Sequence, residues 1–261
     1  MHSIASPRNP LLKEIRRALL RGALTEDGCA VAESFHLLEE ALRSDCHVPV
    51  VLSAETARDT VARHVRNLKD VQFSVVPDAL FRQLSSTESS QGVLALVKPP
   101  RWTMEELFRG RTLLLVLDGV QDPGNAGTIV RAGEAFGATG VLFLKGTVSP
   151  YNAKALRASA GSLFRLPVVH GMEGGLARAA MAQRRLDVYA AVPGAPIQVG
   201  DVDFTRRCAL IVGSEGRGVS EELRSAAREV SIPTLGVDSL NAAMAATVIL
   251  YEAGRQRRVA V

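Results

Sequence analysis

The stretch TLLLVLDGVQDPGNAGTIVRAGEAFGA, residues 112–138, begins with a continuous apolar run, passes through a glycine-bearing turn and ends in a helical pattern. A short apolar run bounded by turn residues is typical of a strand buried on both faces of a parallel sheet. We expect the helix to begin at about Asn125, because asparagine is a good N-cap residue. Strand, turn and helix in this order predict one unit of an α/β fold.

The same alternation continues to the end of the chain. Further strands are predicted in GVLFL, LPVVH, DVYAAV, CALIVG and VSIP, with helices over 152–160, 173–184, 219–229 and from Leu240 onward. Apolar strands that alternate with helices predict a parallel sheet with helices on both faces. Ligands of such sheets bind beyond the carboxyl ends of the strands, so the glycine-rich turns after 113–117 and 208–212 are the expected site.

Two prolines in KPPRWT, residues 98–103, interrupt both helix and sheet and indicate a boundary. Before it, helices are predicted in NPLLKEIRRALLRG, which ends at Gly22, in AESFHLLEEALRS and in ETARDTVARHVRNL, and strands in VPVVLS, VQFSVV and GVLALVK. We therefore predict a small α/β domain over 1–98, a linker over 99–109 and a second domain over 110–261.

Charge and cysteine content narrow the function classes. The formal net charge is only +4, but residues 1–21 carry five lysines and arginines against one glutamate, and 255–258 add three arginines. Such clusters suit phosphate backbones, although a solvated helix face would explain any single cluster. Three widely spaced cysteines and scattered histidines indicate neither a disulfide framework nor a metal site. We expect no metal and a reducing, cytoplasmic compartment.

No run approaches the ~20 apolar residues of a membrane-spanning helix, and the first residues lack the apolar core of an export signal. We therefore expect no membrane association.

The turn in DGVQDPGNAGTIVR fits no common nucleotide-binding template. Its glycines at 119, 124 and 127 match neither GxGxxG nor GxxxxGK[ST]. Asn125 has a sufficient structural explanation as a helix cap. Arg131 is placed roughly opposite the apolar residues Ile129, Ala132 and Phe136, where it would reach either a ligand or solvent.

Two later segments add polar residues at turns. In LIVGSEGRGVSEEL, Gly213, Gly216 and Gly218 allow close backbone approach, and Glu215 has no evident structural role. In SIPTLGVDSLNAAMAATVILYEAGRQR, Ser239 has an alternative explanation as a helix cap, and Asn241 lies near the same helix start. The nearly apolar helix that follows must be buried, either against the sheet or against a partner chain.

Each segment alone is weak evidence of function, but the order of the segments along the chain is typical of one family. DPGNAGTIVRAGEAFG, LRASAGSLFRLPV, GSEGRGVS and IPTLGVDSLNAAMAATVILYEAGRQR together resemble the SpoU–TrmH class of RNA ribose 2′-O-methyltransferases, part of the SPOUT superfamily, over residues 110–258. The first 100 residues are similar to the ribosomal-protein-like RNA-binding domain that often precedes this catalytic domain. The usual F-x-x-E-G segment appears here as AVAESFHLLEEAL.

The resemblance implies an α/β fold with a deep trefoil knot, a homodimer and use of S-adenosyl-L-methionine (AdoMet) without a metal. It assigns cofactor binding to Gly213, Ile232 and Leu240. Catalytic or RNA-binding roles go to five further residues, namely Asn125, Arg131, Glu215, Ser239 and Asn241.

The extra N-terminal domain favours ribosomal RNA of the 23S type as substrate, with tRNA as the alternative. Two other classes remain open: a non-catalytic RNA-binding protein that kept the fold, and an ordinary dinucleotide-binding Rossmann enzyme. The missing GxGxxG weighs against the second.

Overall fold

The computed structural model describes residues 2–68, 70–87 and 89–259. The chain forms two compact units. The N-terminal unit comprises Met1–Pro100 and Tyr151–Arg165, and the C-terminal unit comprises Arg101–Pro150 and Leu166–Val261. The sequence pattern does not anticipate that Tyr151–Arg165 groups with the N-terminal unit. The predicted boundaries at 98/99 and 109/110 stay a proposal.

The N-terminal unit is a five-stranded mixed sheet with helices. Its elements are β1 His2–Ser3, α1 Pro10–Arg21, β2 Ala30–Glu33, α2 Phe35–Arg43, β3 His47–Ala54, α3 Arg58–Val65, β4 Gln72–Val76, α4 Asp78–Arg82 and β5 Val93–Lys98, joined later in the chain by α7 Ala153–Ser159. The strand order is β1-β4-β3-β5-β2, in which β5 runs antiparallel to both β3 and β2.

Two predicted helices of this unit are wrong in extent. Residues 32 and 33 of the predicted helix AESFHLLEEALRS belong to strand β2, which pairs with β5, and the helix starts only after Ser34, whose Oγ accepts a hydrogen bond from Leu37 N at 3.2 Å. The helix predicted over 55–68 is a 3-10 turn at Glu55–Ala57 followed by the shorter α3.

The C-terminal unit is built on a seven-stranded sheet. Its elements are α5 Met104–Leu107, β6 Leu113–Asp118, α6 Pro123–Ala135, β7 Gly140–Leu144, β8 Val168–Met172, α8 Gly174–Gln183, β9 Asp187–Ala191, β10 Ile197–Gln198, β11 Cys208–Gly213, α9 Glu221–Arg224, β12 Arg228–Ser231 and α10 Ala242–Val259. The order is β10-β12-β9-β11-β6-β7-β8, and every neighbouring pair is parallel.

Helices cover both faces of this sheet, as predicted. Leu114 and Val116 of β6 pack in one cluster with Ala177 and Met181 of α8. Because side chains alternate along a strand, Leu115 points to the opposite face, where it lies against Gly133 of α6. The predicted parallel α/β sheet is thereby confirmed, whereas the trefoil knot stays a prediction.

The helix predicted over 219–229 is another error. Only Glu221–Arg224 is helical, and Arg228–Ser231 forms β12. This strand lies between β9 and β10 in the sheet, and Val230 is buried within it. Pairing on both sides therefore decides the conformation of this segment.

The last helix, α10, packs against α6, with the Phe136 and Tyr251 rings edge to face at 5.7 Å. Its far end is held by Arg257, whose guanidinium donates to four backbone carbonyls, those of Arg111 at 2.6 Å, Arg206 at 2.7 Å, Phe204 at 2.8 Å and Thr112 at 2.9 Å. This anchor holds the C-terminal end of α10 against residues 111–112 and 204–206. Within the described ranges, no helix has both the length and the apolar character needed to cross a membrane.

Candidate functional site

The site lies where two neighbouring strands of the C-terminal unit end. Strands β6 and β11 pair in register, so that Asp118 lies beside Gly213. Both strands lead into turns at the same edge of the sheet, which is where ligands bind in parallel α/β folds. Asp118 Oδ2 accepts a hydrogen bond from Ser220 N at 2.7 Å and so ties the second turn to the first strand.

The turn after β11, the glycine loop, comprises residues 214–218. Ser214 N donates to Gly218 O at 3.2 Å, and Gly218 N donates to Ser214 O at 2.8 Å. Gly213 precedes this closure, and a β-carbon there would lie 2.1 Å from the carbonyl carbon of Gly218. Only glycine fits, so the loop folds back tightly and presents Glu215 at its exposed tip.

The start of α6 corrects the role expected for Asn125. The N-cap is Asp122, whose Oδ1 accepts a hydrogen bond from Asn125 N at 2.8 Å, and Pro123 occupies the first helical position. Proline suits that position because it needs no N–H donor there. The side chain of Asn125 is therefore not used as the cap of its helix.

Asn125, Glu215 and Asn241 form one hydrogen-bonded cluster. Asn241 Nδ2 donates to Glu215 Oε1 at 3.1 Å and to Asn125 Oδ1 at 3.2 Å, and Asn125 Nδ2 also donates to Glu215 Oε1. Three residues from three separate motifs thus meet at one carboxylate oxygen.

Asn241 also caps α10, a role that the sequence left open for Ser239. Its Oδ1 accepts hydrogen bonds from Ala243 N at 2.9 Å and Met244 N at 3.3 Å. Because the amide oxygen faces these donors, the amide nitrogen must face Glu215 and Asn125. The helix start therefore fixes the orientation of the Asn241 amide.

Arg131 lies outside this cluster. It is exposed on α6, on the same face as the exposed residues Thr128 and Ala135. Its guanidinium makes no hydrogen bond or ion pair with any described residue. The structure therefore presents a free cation on the helix that also carries Asn125.

Beside the cluster is a cavity of about 410 Å³. All three predicted cofactor-binding residues line it, as do three predicted catalytic residues: Gly213, Ile232, Leu240, Glu215, Ser239 and Asn241. Asn125 and Arg131 are not part of its wall. Six of the predicted site residues thus line the cavity, and the other two lie on α6 outside its wall.

The cavity also has walls that sequence reasoning missed. Residues 191–194, which begin with the last residue of β9, line it, and no motif in the sequence marks them. Asp238 lines it as well and is adjacent to Ser239 in the third motif, so that motif could have suggested it. Among the described residues, no group of three or more His, Cys, Asp or Glu side chains is arranged to hold a metal ion.

Comparison with known proteins covers both units. The SpoU rRNA Methylase family model matches residues 112–251, and the MRM3-like substrate binding domain model matches residues 9–95. The 23S rRNA (guanosine(2553)-2′-O)-methyltransferase RlmP of Bacillus subtilis is 32% identical over 255 residues, which is 96% of this chain and 98% of that protein. The 23S rRNA (uridine(2479)-2′-O)-methyltransferase of Streptomyces viridochromogenes is 35% identical over 207 residues, 74% of this chain and 70% of that protein.

A solved structure agrees with these matches. The SpoU methyltransferase AviRb from Streptomyces viridochromogenes, crystallised in complex with AdoMet, superposes with a TM-score of 0.87 at 30% identity, over 96% of this chain and 99% of that one. The family model, the relatives and the fold thus agree, and the chain belongs to the SpoU rRNA methylase family.

Proposed function

We propose that this protein transfers a methyl group from AdoMet to a ribose 2′-hydroxyl of RNA, with 23S-type ribosomal RNA as its substrate. The observation that carries the proposal is the cavity lined by Gly213, Ile232 and Leu240, which adjoins the Asn125–Glu215–Asn241 cluster. Its relatives from Bacillus subtilis and Streptomyces viridochromogenes are both named for 2′-O-methylation of 23S rRNA. The match of residues 9–95 to a substrate binding domain supports an RNA substrate for the N-terminal unit.

The residues present fit AdoMet. The cavity volume of about 410 Å³ lies within the range of about 300–1,000 Å³ typical of small-molecule sites. Its apolar wall, with Val212, Ile232 and Ile249, suits an adenine ring, and its polar wall suits a ribose and an amino acid group. Gly213, Ile232 and Leu240 would hold the cofactor. When bound, AdoMet supplies an electrophilic methyl group attached to a positively charged sulfur.

The cluster would orient the ribose. Glu215 Oε1 is occupied by two amide donors, whereas Oε2 makes no hydrogen bond with a described residue. That oxygen is available to accept a hydrogen bond from a hydroxyl group. Ser239, on the cavity wall, adds a hydroxyl that both donates and accepts. Holding two reactants in a fixed orientation is a large part of what such a transfer requires.

Arg131 would bind the phosphate 3′ to the reacting ribose or stabilise the developing 2′-oxyanion. A guanidinium is a poor base because it stays protonated at all ordinary pH values. The hydroxyl proton would then leave to phosphate or water. The exposed and unpaired state of Arg131 supports this role, because a guanidinium without an internal partner is available to an anion.

Arg131→Lys tests this role directly. We expect turnover to fall about 100-fold, the cost of losing one oriented donor to an oxyanion, while the AdoMet dissociation constant stays unchanged. Arg101→Lys, at an exposed arginine in the predicted linker, is the control and should retain full activity. Near-normal turnover of Arg131→Lys would show that bidentate geometry is irrelevant and that the role is wrong.

The function itself is tested by mass-spectrometric mapping of 2′-O-methylation in RNA from cells with and without the protein. Loss of one methylated ribose in large-subunit rRNA is the expected result. Loss of a tRNA methyl group instead would favour the alternative substrate. Calorimetric titration of the purified protein with AdoMet separates the classes, because a non-catalytic RNA-binding protein would not bind it.

We also propose a homodimer that works in the cytoplasm, where ribosomal RNA is found. The exposed side of α10 supports the dimer. Met244 is 58% exposed, Val248 40% and Tyr251 55%. Their spacing of four and three residues places them in one stripe along the helix. Such an apolar stripe is typical of a helix that packs against a partner chain.

A further inference from the structure

The charged side chains that line the cavity, among the described residues, are all acidic. Glu215 and Asp238 are both on its wall, and no lysine, arginine or histidine of the described residues lines it. Arg217 is in the glycine loop but is not part of the wall. Carboxylates are ionised at neutral pH, so a ligand inside meets negative charge without a compensating cation from the wall.

The two carboxylates differ in the hydrogen bonds that they make. Glu215 is held by the amides of Asn125 and Asn241. Asp238 is exposed, and its carboxylate makes no hydrogen bond or ion pair with any described residue. The chain just before it is fixed by a turn in which Thr234 Oγ1 donates to Val237 O at 2.8 Å. The turn therefore positions Asp238 on the cavity wall, and no described residue neutralises its charge.

On the basis of the proposed function, we propose that Asp238 is a specificity-determining residue that makes the cavity prefer the cationic methyl donor to its neutral thioether product, S-adenosyl-L-homocysteine (AdoHcy). The two ligands have the same adenosine and amino acid groups. They differ by one methyl group and one positive charge, and a carboxylate can discriminate between them through the charge.

A preference for the cationic ligand would help the enzyme to retain the donor and release the product. The ribose 2′-oxygen would gain the methyl carbon and lose its proton to phosphate or water, and the electron pair of the broken C–S bond would stay on sulfur. The positive charge in the cavity disappears with that step. A wall that attracts the cation but not the neutral thioether holds the donor and lets the product leave.

The test is isothermal titration calorimetry of the full chain with AdoMet, AdoHcy and sinefungin, in which a protonated amine replaces the methylsulfonium group. An exposed charge pair contributes modestly, so Asp238→Asn should weaken binding of the two cationic ligands by about two- to fivefold. AdoHcy binding should change by less than a factor of about two. The effect should shrink as salt is raised, because exposed charges are screened.

Two variants serve as controls. Asp238→Glu keeps the charge and should keep the preference for the cationic ligands. Asp201→Asn removes another exposed carboxylate of the same unit that does not line the cavity, and should leave all three dissociation constants unchanged.

The outcomes separate this inference from the proposed function. An equal loss of affinity for AdoMet and AdoHcy in Asp238→Asn would overturn the inference, because the residue would then act on a group that both ligands share or only shape the loop. Unchanged binding of all three ligands would also overturn the inference, and both results would leave the proposed function intact. Failure of the wild-type chain to bind any of the ligands would overturn the proposed function and this inference together.

Discussion

At Gly213 the backbone leaves no room for a side chain. An added β-carbon would lie 2.1 Å from the carbonyl carbon of Gly218 and 2.2 Å from Val219 N, and neither atom belongs to a flexible group. We therefore expect Gly213→Ala to force the glycine loop open. The free energy of unfolding should fall by about 1–3 kcal/mol, and AdoMet affinity should fall at least roughly tenfold, as measured by urea denaturation and calorimetry.

Gly216 offers a matched control in the same loop. A β-carbon added there would have no atom within 4 Å, and the backbone of Gly216 is outside the positive-φ region. Gly216→Ala should therefore change the free energy of unfolding by less than about 0.5 kcal/mol. If the two variants behaved alike, tight closure of the loop would not be what holds the site.

Glu33 is a buried carboxylate, only 3% exposed, around which residues 85–87 fold. It accepts hydrogen bonds from the hydroxyls of Ser85, Ser86 and Thr87 and from Ser86 N, and Arg157 lies 3.6 Å away. Burial by itself would raise the pKa of Glu33, but these hydrogen bonds more than offset it and hold the pKa below the ordinary value of 4.5. The ionised form is therefore the one that the fold stabilises.

This lowered pKa predicts how stability depends on pH. A group whose pKa is lower in the folded state stabilises the fold above its unfolded pKa and loses that contribution as pH falls. Glu33→Gln should therefore lower the free energy of unfolding by about 1.5–3 kcal/mol at pH 7, and the deficit should shrink below about pH 4.5. Urea denaturation between pH 3 and 7 measures this. Glu55→Gln, at an exposed glutamate, should show no such deficit.

Among the helices, α10 makes a prediction about assembly. Its apolar stripe of Met244, Val248 and Tyr251 is exposed in the single chain, and we propose that a second copy covers it. Met244→Glu combined with Val248→Glu should weaken the dimer at least about 30-fold, as expected when central apolar contacts are removed. Sedimentation velocity over a range of concentrations measures the change.

An exposed apolar residue on another helix provides the control for the dimer prediction. Leu20→Glu alters another exposed apolar residue, 88% exposed on α1, and should leave the dimer intact. A wild-type chain that stays monomeric at high concentration would contradict the homodimer.

The strands and helices also show what sequence can predict. Long alternation of apolar runs and helical patterns correctly predicted the parallel sheet, because such strands are buried whatever their neighbours are. Short segments were decided by pairing instead. Ala32 and Glu33 join a strand because β5 lies beside them, and residues 228–231 do so because β9 and β10 flank them. Local periodicity carries no information about such partners.

The candidate site shows the same division. Spacing within each motif marked glycine turns, but nothing local indicated that Asn125, Glu215 and Asn241 share one carboxylate oxygen. The resemblance to a family named all three as site residues, and in the structure hydrogen bonds join their side chains. Asp122 was overlooked as the cap because both it and Asn125 are good N-cap residues. Only the position of Pro123 at the first turn distinguishes them.

Taken over its full length, the chain passes between its two units three times, after residues 100, 150 and 165. The intervening segment, Tyr151–Arg165, carries α7, which packs on β2, and its arginines Arg157 and Arg165 pair with Glu33 and Glu40. A fragment of residues 110–261 would contain this segment without its partners. We expect it to unfold at least about 5 °C below the full chain and to bind a hydrophobic dye.

A second fragment tests whether residues 151–165 cause the lower unfolding temperature and the dye binding. Replacing 151–165 by a glycine-serine linker of equal length removes the uncovered surface, so dye binding should disappear. If the unmodified fragment unfolded at the temperature of the full chain, residues 151–165 would not depend on the N-terminal unit.

The same connectivity sets an order of events during translation. The first hundred residues are synthesised before Arg157 exists, so the hydroxyl groups that surround the Glu33 carboxylate are present before its cation is. At about 5–20 residues per second, the wait from residue 100 to residue 165 lasts roughly 3–13 seconds. The N-terminal unit is therefore completed only after β6 and β7 of the C-terminal unit have been synthesised.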